Sequence, residues 1–246
     1  MWAGGFLFAA LIAAITAVAA FELARMASGW GDRASIVFAV IASTALLMSN
    51  IFYDPDSDLG LIVGLGTTAY ALISAVYLLM IVPRGMIRNK IISTVAVIGY
   101  VGATMTHGPM LRGLEDGLWW IVFLSIVTFS TDTGAYIVGR LIGRRKLAPS
   151  ISPSKTWEGA IGGLAFSIIT SVIALELLPL DVSTVQSITL GAVLGATGQL
   201  GDLAESKLKR QAGTKDSSSL VPGHGGVLDR LDSIVWNLVV VYHFVS

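Results

Sequence analysis

Long apolar runs separated by short polar connections dominate the chain. The runs cover about residues 2–27, 34–52, 59–82, 91–106, 118–139, 159–178, 185–205 and 228–245. Several reach the roughly 18 to 20 residues that a helix needs to cross the hydrocarbon of a bilayer. They are continuous rather than alternating, and backbone inside lipid must satisfy its own hydrogen bonds. The pattern therefore predicts helices and not a β-barrel. The expected fold is an all-α polytopic membrane bundle of about eight transmembrane helices. Small residues recur four apart, at Gly60/Gly64, Gly139/Gly143, Gly159/Gly163 and Gly191/Gly195, and such pairs let helix backbones approach closely in a membrane.

The polar connections alternate in charge. Arg25 and Arg33 flank the first, and the second, "YDPDSD", has no Lys or Arg. The third carries Arg84, Arg88 and Lys90; the fourth mixes Arg112 with Glu115 and Asp116. The fifth holds Arg140, Arg144, Arg145, Lys146 and Lys155, the sixth ("PLDVS") has no basic residue, and the seventh holds Lys207, Lys209, Arg210 and Lys215, with Arg230 just beyond. By the positive-inside rule the basic, odd-numbered connections face the cytoplasm and both termini lie outside. The first run lacks a basic lead and flows into "FELARM", so it reads as a mature helix and not a cleaved signal.

Composition agrees with a membrane protein. The chain is 54% hydrophobic and 13% charged, with mean hydropathy +0.76, against about 25% charged residues in soluble domains. The formal net charge is zero, so no bulk field steers a partner and no nucleic acid is expected. There is no cysteine, which excludes disulfides, thiolate metal sites and a cysteine nucleophile. "GLGTTA" (Gly64 to Ala69) imitates a dinucleotide fingerprint, but it lies inside an apolar run with no strand before it.

The unusual polarity lies in the C-terminal half. Residues 1–117 read as a helical scaffold and 118–246 as the catalytic region. Asp132 interrupts a run that would otherwise span. Asp202, Glu205 and Ser206 sit three or four apart at the end of the seventh run, on one helical face, and Asp229 and Asp232 sit three apart at the start of the eighth. A carboxylate at the bilayer centre costs about 2.5–3.5 kcal/mol on insertion scales, so these acids must face water, a cation or a basic partner. Helix-dipole placement accounts for Asp229 and Asp232 but not for Asp202 and Glu205 near a helix C-terminus. Pairing with nearby Lys and Arg, or a hydrogen-bonded core role for Asp132, are further structural explanations.

The favoured alternative is a divalent cation site. Mg²⁺ takes oxygen ligands and is commonly held by one or two carboxylates plus substrate phosphates. Lys155, Lys207, Lys209, Arg210, Lys215 and Arg230 would then bind phosphate. "PGHGG" (Pro222 to Gly226) offers backbone that can approach an anion, and "SPSKTWEG" places Ser152, Ser154, Lys155 and Thr156 just before the sixth helix. His224 suits an acid, a base, a phosphate donor or a loop hydrogen-bonder; His107 and His243 read as interfacial or structural.

These residues resemble the CDP-diacylglycerol synthase (phosphatidate cytidylyltransferase) family. The likeness lies in Ser206, Lys209-Arg210, Lys215-Asp216, Pro222-Gly223-His224-Gly225-Gly226 and Asp229-Arg230-Leu231-Asp232. The stretches "DTGAYIVGRLIGRRKLAPSISPSKTWEG" and "GQLGDLAESKLKR" extend it over most of 128–236, and "FELARM" adds a short likeness near the N-terminus. The chain begins at what corresponds to the family's second helix, so one helix ahead of Met1 is expected.

The resemblance implies transfer of CMP from CTP to phosphatidate, giving CDP-diacylglycerol and pyrophosphate. It also implies Mg²⁺, alone or with a second cation, and a protein in the cell inner membrane with its site facing the cytoplasm. Asp202 and Asp229 are the first choices for the metal and for catalysis, with Glu205, Asp216, Asp232 and Asp132 as further ligands. Lys215 and His224 complete the catalytic set. Ser206, Lys209, Arg210 and Arg230 would hold the nucleotide, and Ser154 and Lys155 the lipid phosphate or the nucleotide. The partners expected are CTP, phosphatidate and the lipid bilayer, the chain acting alone or as a homodimer. A basic cavity open sideways to lipid would admit phosphatidate. A CTP-dependent lipid-alcohol kinase, an ion-coupled transporter and a scaffold subunit are the competing readings.

Overall fold

The computed structural model describes residues 2–28, 33–50, 58–81, 90–220 and 225–246. Helix α1 covers Trp2–Ser28, α2 Arg33–Ser49 and α3 Asp58–Val76, which runs on through a π turn at Tyr77–Ile81. Then α4 (Lys90–Val97) and α5 (Thr104–Gly113) join end to end through a π segment, Ile98–Ala103. Four longer elements complete the set: α6 (Gly117–Ile142), α7 (Trp157–Leu177), α8 (Thr184–Gln211) and α9 (Ile234–Val245).

The all-α membrane fold expected from the sequence is observed. Length and hydropathy mark four stretches able to cross a membrane: Leu7–Met26, Asp58–Leu79, Gly117–Ile142 and Trp157–Leu177. The other helices are shorter or more polar, so helix length alone marks fewer spans than the eight apolar runs.

Three local features depart from the sequence reading. A two-stranded antiparallel hairpin, β1 (Lys146–Ala148) and β2 (Ser152–Thr156), precedes α7 and pairs Lys146 with Thr156 and Ala148 with Ser152. Helix α8 continues past residue 205 to Gln211 and stops where Gly213 takes a left-handed conformation, φ +72°. The eighth run is not helical from its start: Leu228–Arg230 forms a 3-10 turn and α9 begins at Ile234. Asp229 and Asp232 therefore precede the helix and do not share a helical face. Their side chains bond nearby backbone N–H groups, and such bonds compete with helix formation.

Helix α7 packs small residues inward and large apolar ones outward. Along α7, Gly159, Gly162, Gly163, Ser167, Ser171 and Ala174 are buried, while Ile161, Ile169, Ile173 and Leu177 are exposed. Lipid tails are as apolar as Leu, so burial alone does not drive helices together in a membrane; close packing and interhelical hydrogen bonds do. Both are present between α7 and α8. Ser167 Oγ donates to the Gly191 carbonyl at 2.6 Å and Ser171 Oγ to the Ser187 carbonyl at 2.7 Å. A capping box, Ser183 with Gln186, starts α8.

A Cβ at Gly191 would sit 2.9 Å from the Ile168 Cα and 3.0 Å from the Ser167 carbonyl oxygen. Those are backbone atoms and cannot rotate away. Gly191→Ala should cost about 1–3 kcal/mol, seen as a lower unfolding temperature in detergent. Gly66→Ala, with nothing within 4 Å of the added atom, should leave that temperature unchanged or slightly raised.

Candidate active site

The hairpin is fixed to α7 by local chemistry. Thr156 caps the helix by accepting the Gly159 N–H at 3.1 Å, and the Glu158 carboxylate accepts the N–H of Arg144 at 3.0 Å and of Arg145 at 3.2 Å. Gly139 and Gly143 of α6 lie directly against the Thr156 side chain. Strand β2 thus points Lys155 at α8, where its ammonium pairs with the Asp202 carboxylate. Successive strand residues face opposite ways, and Ser154 is exposed.

Asp202 lies one residue beyond Gly201, where a Cβ would come 2.4 Å from the Asp232 carbonyl oxygen. The absent side chain lets the backbone before α9 press onto α8 and brings Asp232 beside Asp202. Asp132, exposed on α6, lies within electrostatic range of both Asp202 and Lys155. Burial and the Asp202 charge push the Asp232 carboxyl up to about 7, with Asp132 adding to the effect and the Ser233 N–H opposing it. Ser206 Oγ donates to Asp202 at 3.3 Å. Asp132, Asp202 and Asp232 thus form a group of repelling acids, with Lys155 beside Asp132 and Asp202 and Lys209 within electrostatic range of Asp232.

Nearby polar atoms are also short of partners. Glu205 is fully buried and meets the Lys209 ammonium at 3.3 Å, and among the described residues its oxygens take no well-aligned hydrogen bond. The Tyr100 hydroxyl and Trp236 indole N–H are buried near each other, and among the described residues neither makes a well-aligned hydrogen bond. Tyr100 lies within electrostatic range of Glu205, Asp232 and Asp202, and its ring packs edge-on against Trp236 at 5.7 Å. Below them Asn237 ties three helices together. It donates to Thr128 of α6 at 2.9 Å and accepts from Thr197 of α8 at 2.7 Å.

Asp229 is a different kind of acid. It accepts from Lys209 Nζ at 2.6 Å, from the Gly226 N–H at 2.7 Å, and from the Ser217 N–H at 3.0 Å and hydroxyl at 2.9 Å. Burial opposes its ionisation, but the Lys209 bond and the Gly226 and Ser217 N–H groups outweigh burial and hold it down at about 2. The two acids that the sequence singled out first, Asp202 and Asp229, therefore have different partners: Lys155 and Ser206 for one, Lys209 and loop backbone for the other.

The basic residues also divide. Arg210 spends its Nε on the Ile151 carbonyl at 3.1 Å and a terminal N–H on the Thr214 carbonyl at 3.2 Å, tying the hairpin to the end of α8. Lys215, Asp216 and Arg230 are exposed. His224, with Pro222 and Gly223, lies outside the described residues.

Glu22, Ser217, Tyr100, Trp236 and Asn237 escaped the sequence reading. Glu22 had a usable signal, since an acid inside an apolar run is expensive wherever it occurs. The others become conspicuous only when their neighbours are known. His107 and His243 meet through Thr68, whose Oγ1 lies 2.9 Å from one Nε2 and 2.6 Å from the other. This knot of α3, α5 and α9 fits the structural role expected of both histidines.

The site therefore sets acids from three segments beside the lysines Lys155 and Lys209. Residues 1–246 match the cytidylyltransferase family. The chain belongs to the cytidylyltransferase family. It is 45% identical over 141 residues to the phosphatidate cytidylyltransferase of Staphylococcus haemolyticus, covering 57% of this chain and 54% of that protein. Against the Bacillus subtilis protein of the same name, identity is 39% over 148 residues, or 60% of this chain and 55% of the relative. The Brucella suis protein of that name gives 45% over 146 residues, 59% and 54%. The chain spans about half the length of the curated relatives it matches.

The two classes of acid should respond differently to neutralisation. Asp229→Asn strands Lys209 and loop N–H groups in a partly buried setting, and should cost about 3–5 kcal/mol of stability. Asp202→Asn breaks a pair whose side chains are 24% and 30% exposed but whose Lys155 ammonium is itself buried, and should cost less, about 1–3 kcal/mol. Thermal unfolding of the two variants in the same detergent checks the contrast.

Proposed function

We propose that this cytidylyltransferase-family protein transfers CMP from CTP to phosphatidate, releasing CDP-diacylglycerol and pyrophosphate. The reaction would occur at the cytoplasmic face of the cell inner membrane. Similarity to proteins named phosphatidate cytidylyltransferase supports the substrates. The observation that carries the chemistry is the group Asp132, Asp202 and Asp232 beside Lys155, drawn from four separate elements. The basic residues around it (Arg140, Arg144, Arg145, Lys146, Lys207 and Lys209) support the cytoplasmic orientation.

Mg²⁺ is the cation this reading calls for. Among the described residues no group of three or more His, Asp or Glu side chains could hold a metal ion by itself, so substrate phosphate and water would supply the remaining ligands. Asp202 and Asp232 would hold it, with Asp132 beside them. When bound, Mg²⁺ neutralises charge on phosphoryl oxygens.

The chain's own residues position and screen. A phosphatidate oxygen forms a bond to the α-phosphorus of CTP as the bond from that phosphorus to the bridging oxygen breaks, and pyrophosphate leaves with the electron pair. The nucleophile is already an anion, so no general base is needed, and catalysis rests on alignment and charge neutralisation. Lys155 lies at the acid group and supplies a cation to whichever phosphate approaches Asp202. Lys215 and Arg230, exposed on either side of the motif stretch, are placed to meet the triphosphate. Asp132 lies roughly 15 Å from the end of α6, at 1.5 Å per residue over the ten residues to Ile142. An exposed acid at that depth supports a wet recess open to the side of the bundle, where a lipid phosphate can enter.

The test is turnover of CTP with phosphatidate and Mg²⁺ by purified protein, following both products. Pyrophosphate and CDP-diacylglycerol should appear together, and chelation should stop the reaction. Asp202→Asn and Asp232→Asn should each lower kcat by at least about 100-fold. Release of CDP would instead mark a lipid kinase. Near-wild-type rates in both variants would remove the acid group from the mechanism.

A further inference from the structure

We propose that Glu22, on α1, is a positioning residue of the transferase site, setting the two flanks of the motif stretch, Ser217–Ser218 and Gly226–Leu228, against each other; the proposal rests on reading those flanks as part of the site. Glu22 is 1% exposed and lies within a stretch apolar enough to span a membrane. Its carboxylate takes four hydrogen bonds. Oε1 accepts from Ser218 Oγ at 2.6 Å and from the Val227 N–H at 3.1 Å; Oε2 accepts from Ser217 Oγ at 2.9 Å and from the Leu228 N–H at 2.8 Å. Each oxygen therefore joins a hydroxyl before the motif to a backbone N–H after it.

Asp229 closes the same clamp from the other side, through the Ser217 and Gly226 N–H groups. Gly226 lies between the two acids. A Cβ there would come 2.5 Å and 2.6 Å from the Glu22 oxygens and 2.1 Å from Ser217 Oγ. Gly225, at φ +81°, adopts a conformation that L side chains rarely take. The paired glycines are thus explained by close approach at one position and a left-handed backbone at the other.

A burial cost separates this role from simple packing. Among the described residues the hydrogen-bond partners of Glu22 are hydroxyls and backbone N–H groups, and these four bonds offset the desolvation of a carboxylate buried on a membrane helix. Apolar contacts would hold α1 in the bundle without it. What the acid supplies is a fixed spacing between the two flanks of the loop. Lys215 and Asp216 lie just before one flank, and Asp229, Arg230 and Asp232 follow the other.

The test uses full-length protein in detergent, with hydrogen exchange of the loop amides and steady-state turnover of CTP and phosphatidate read in parallel. Glu22→Gln keeps the shape but turns an NH2 group toward donors. Exchange at Val227 and Leu228 should rise roughly 10- to 100-fold, while exchange in α6, α7 and α8 stays unchanged. The kcat should fall at least about tenfold, with the KM for phosphatidate changed less than about threefold. Glu22→Asp, which keeps the charge, should recover part of both effects. Unchanged loop exchange overturns the clamp. Faster exchange with undiminished kcat overturns the positioning role and leaves a structural bond. If Glu22→Gln fails to fold, Ser218→Ala, which removes a single donor, is judged by the same criteria at smaller amplitude. Wild-type protein that turns over no CTP would sink the proposed reaction, and the exchange result would still decide the clamp.

Discussion

A carboxylate inside a bilayer must find hydrogen-bond donors, counter-charge or water, and that requirement organises this molecule. Its intramembrane and near-membrane acids meet it in two ways. Glu22 and Asp229 are saturated: each collects several short bonds from a hydroxyl, backbone N–H groups or an ammonium. Asp132, Asp202 and Asp232 collect fewer bonds and repel one another, with Lys155 beside the first two and Lys209 in range of the third. A saturated acid fixes geometry and has little left to offer a ligand. An unsaturated one is costly until a cation arrives, which is the condition a substrate-assisted metal site needs.

The scaffold makes that arrangement reachable by keeping its interior small. Glycine and serine on α6, α7 and α8 let backbones approach until only hydroxyl-to-carbonyl bonds and van der Waals contact lie between them. The same device is used at the site. Without a side chain at Gly201, the segment before α9 packs on α8 and carries Asp232 next to Asp202. Glycines that look like generic helix packing in the sequence therefore also set the spacing of charged groups.

Much of this was legible in the residues alone. The apolar runs predict helices because their length matches a bilayer, and the motif residues locate the polar end of the bundle. Asp202, Asp232, Asp132 and Lys155 were all candidates from their type and place. The motif ranks Asp229 above Asp232, but it does not show the different surroundings of the two. The two stand three apart in one motif, and only the folded loop shows that Asp229 is taken by Lys209, Ser217 and Gly226 whereas Asp232 faces other acids. The start of α9 was misplaced for the same reason, because side-chain bonds to backbone N–H groups outcompete the helix there. Tyr100 was hidden because a buried tyrosine in an apolar run is unremarkable until Trp236 and the nearby acids are seen around it.

A boundary near residue 117 divides the sequence into a plain half and a chemically busy half, but it does not divide the hydrogen bonds. Glu22 reaches across nearly 200 positions of chain to bond Ser217, Ser218, Val227 and Leu228. Tyr100, also from the first half, packs on Trp236 among the acids of the second. A loop rich in glycine loses more conformational freedom on ordering than other sequences do, so something must hold it. The most economical anchor in a membrane is an acid buried on a rigid helix, because its alternatives in hydrocarbon are so poor that it keeps its partners. The cost of burying Glu22 and the spacing of the two flanks it bonds are then two sides of one interaction.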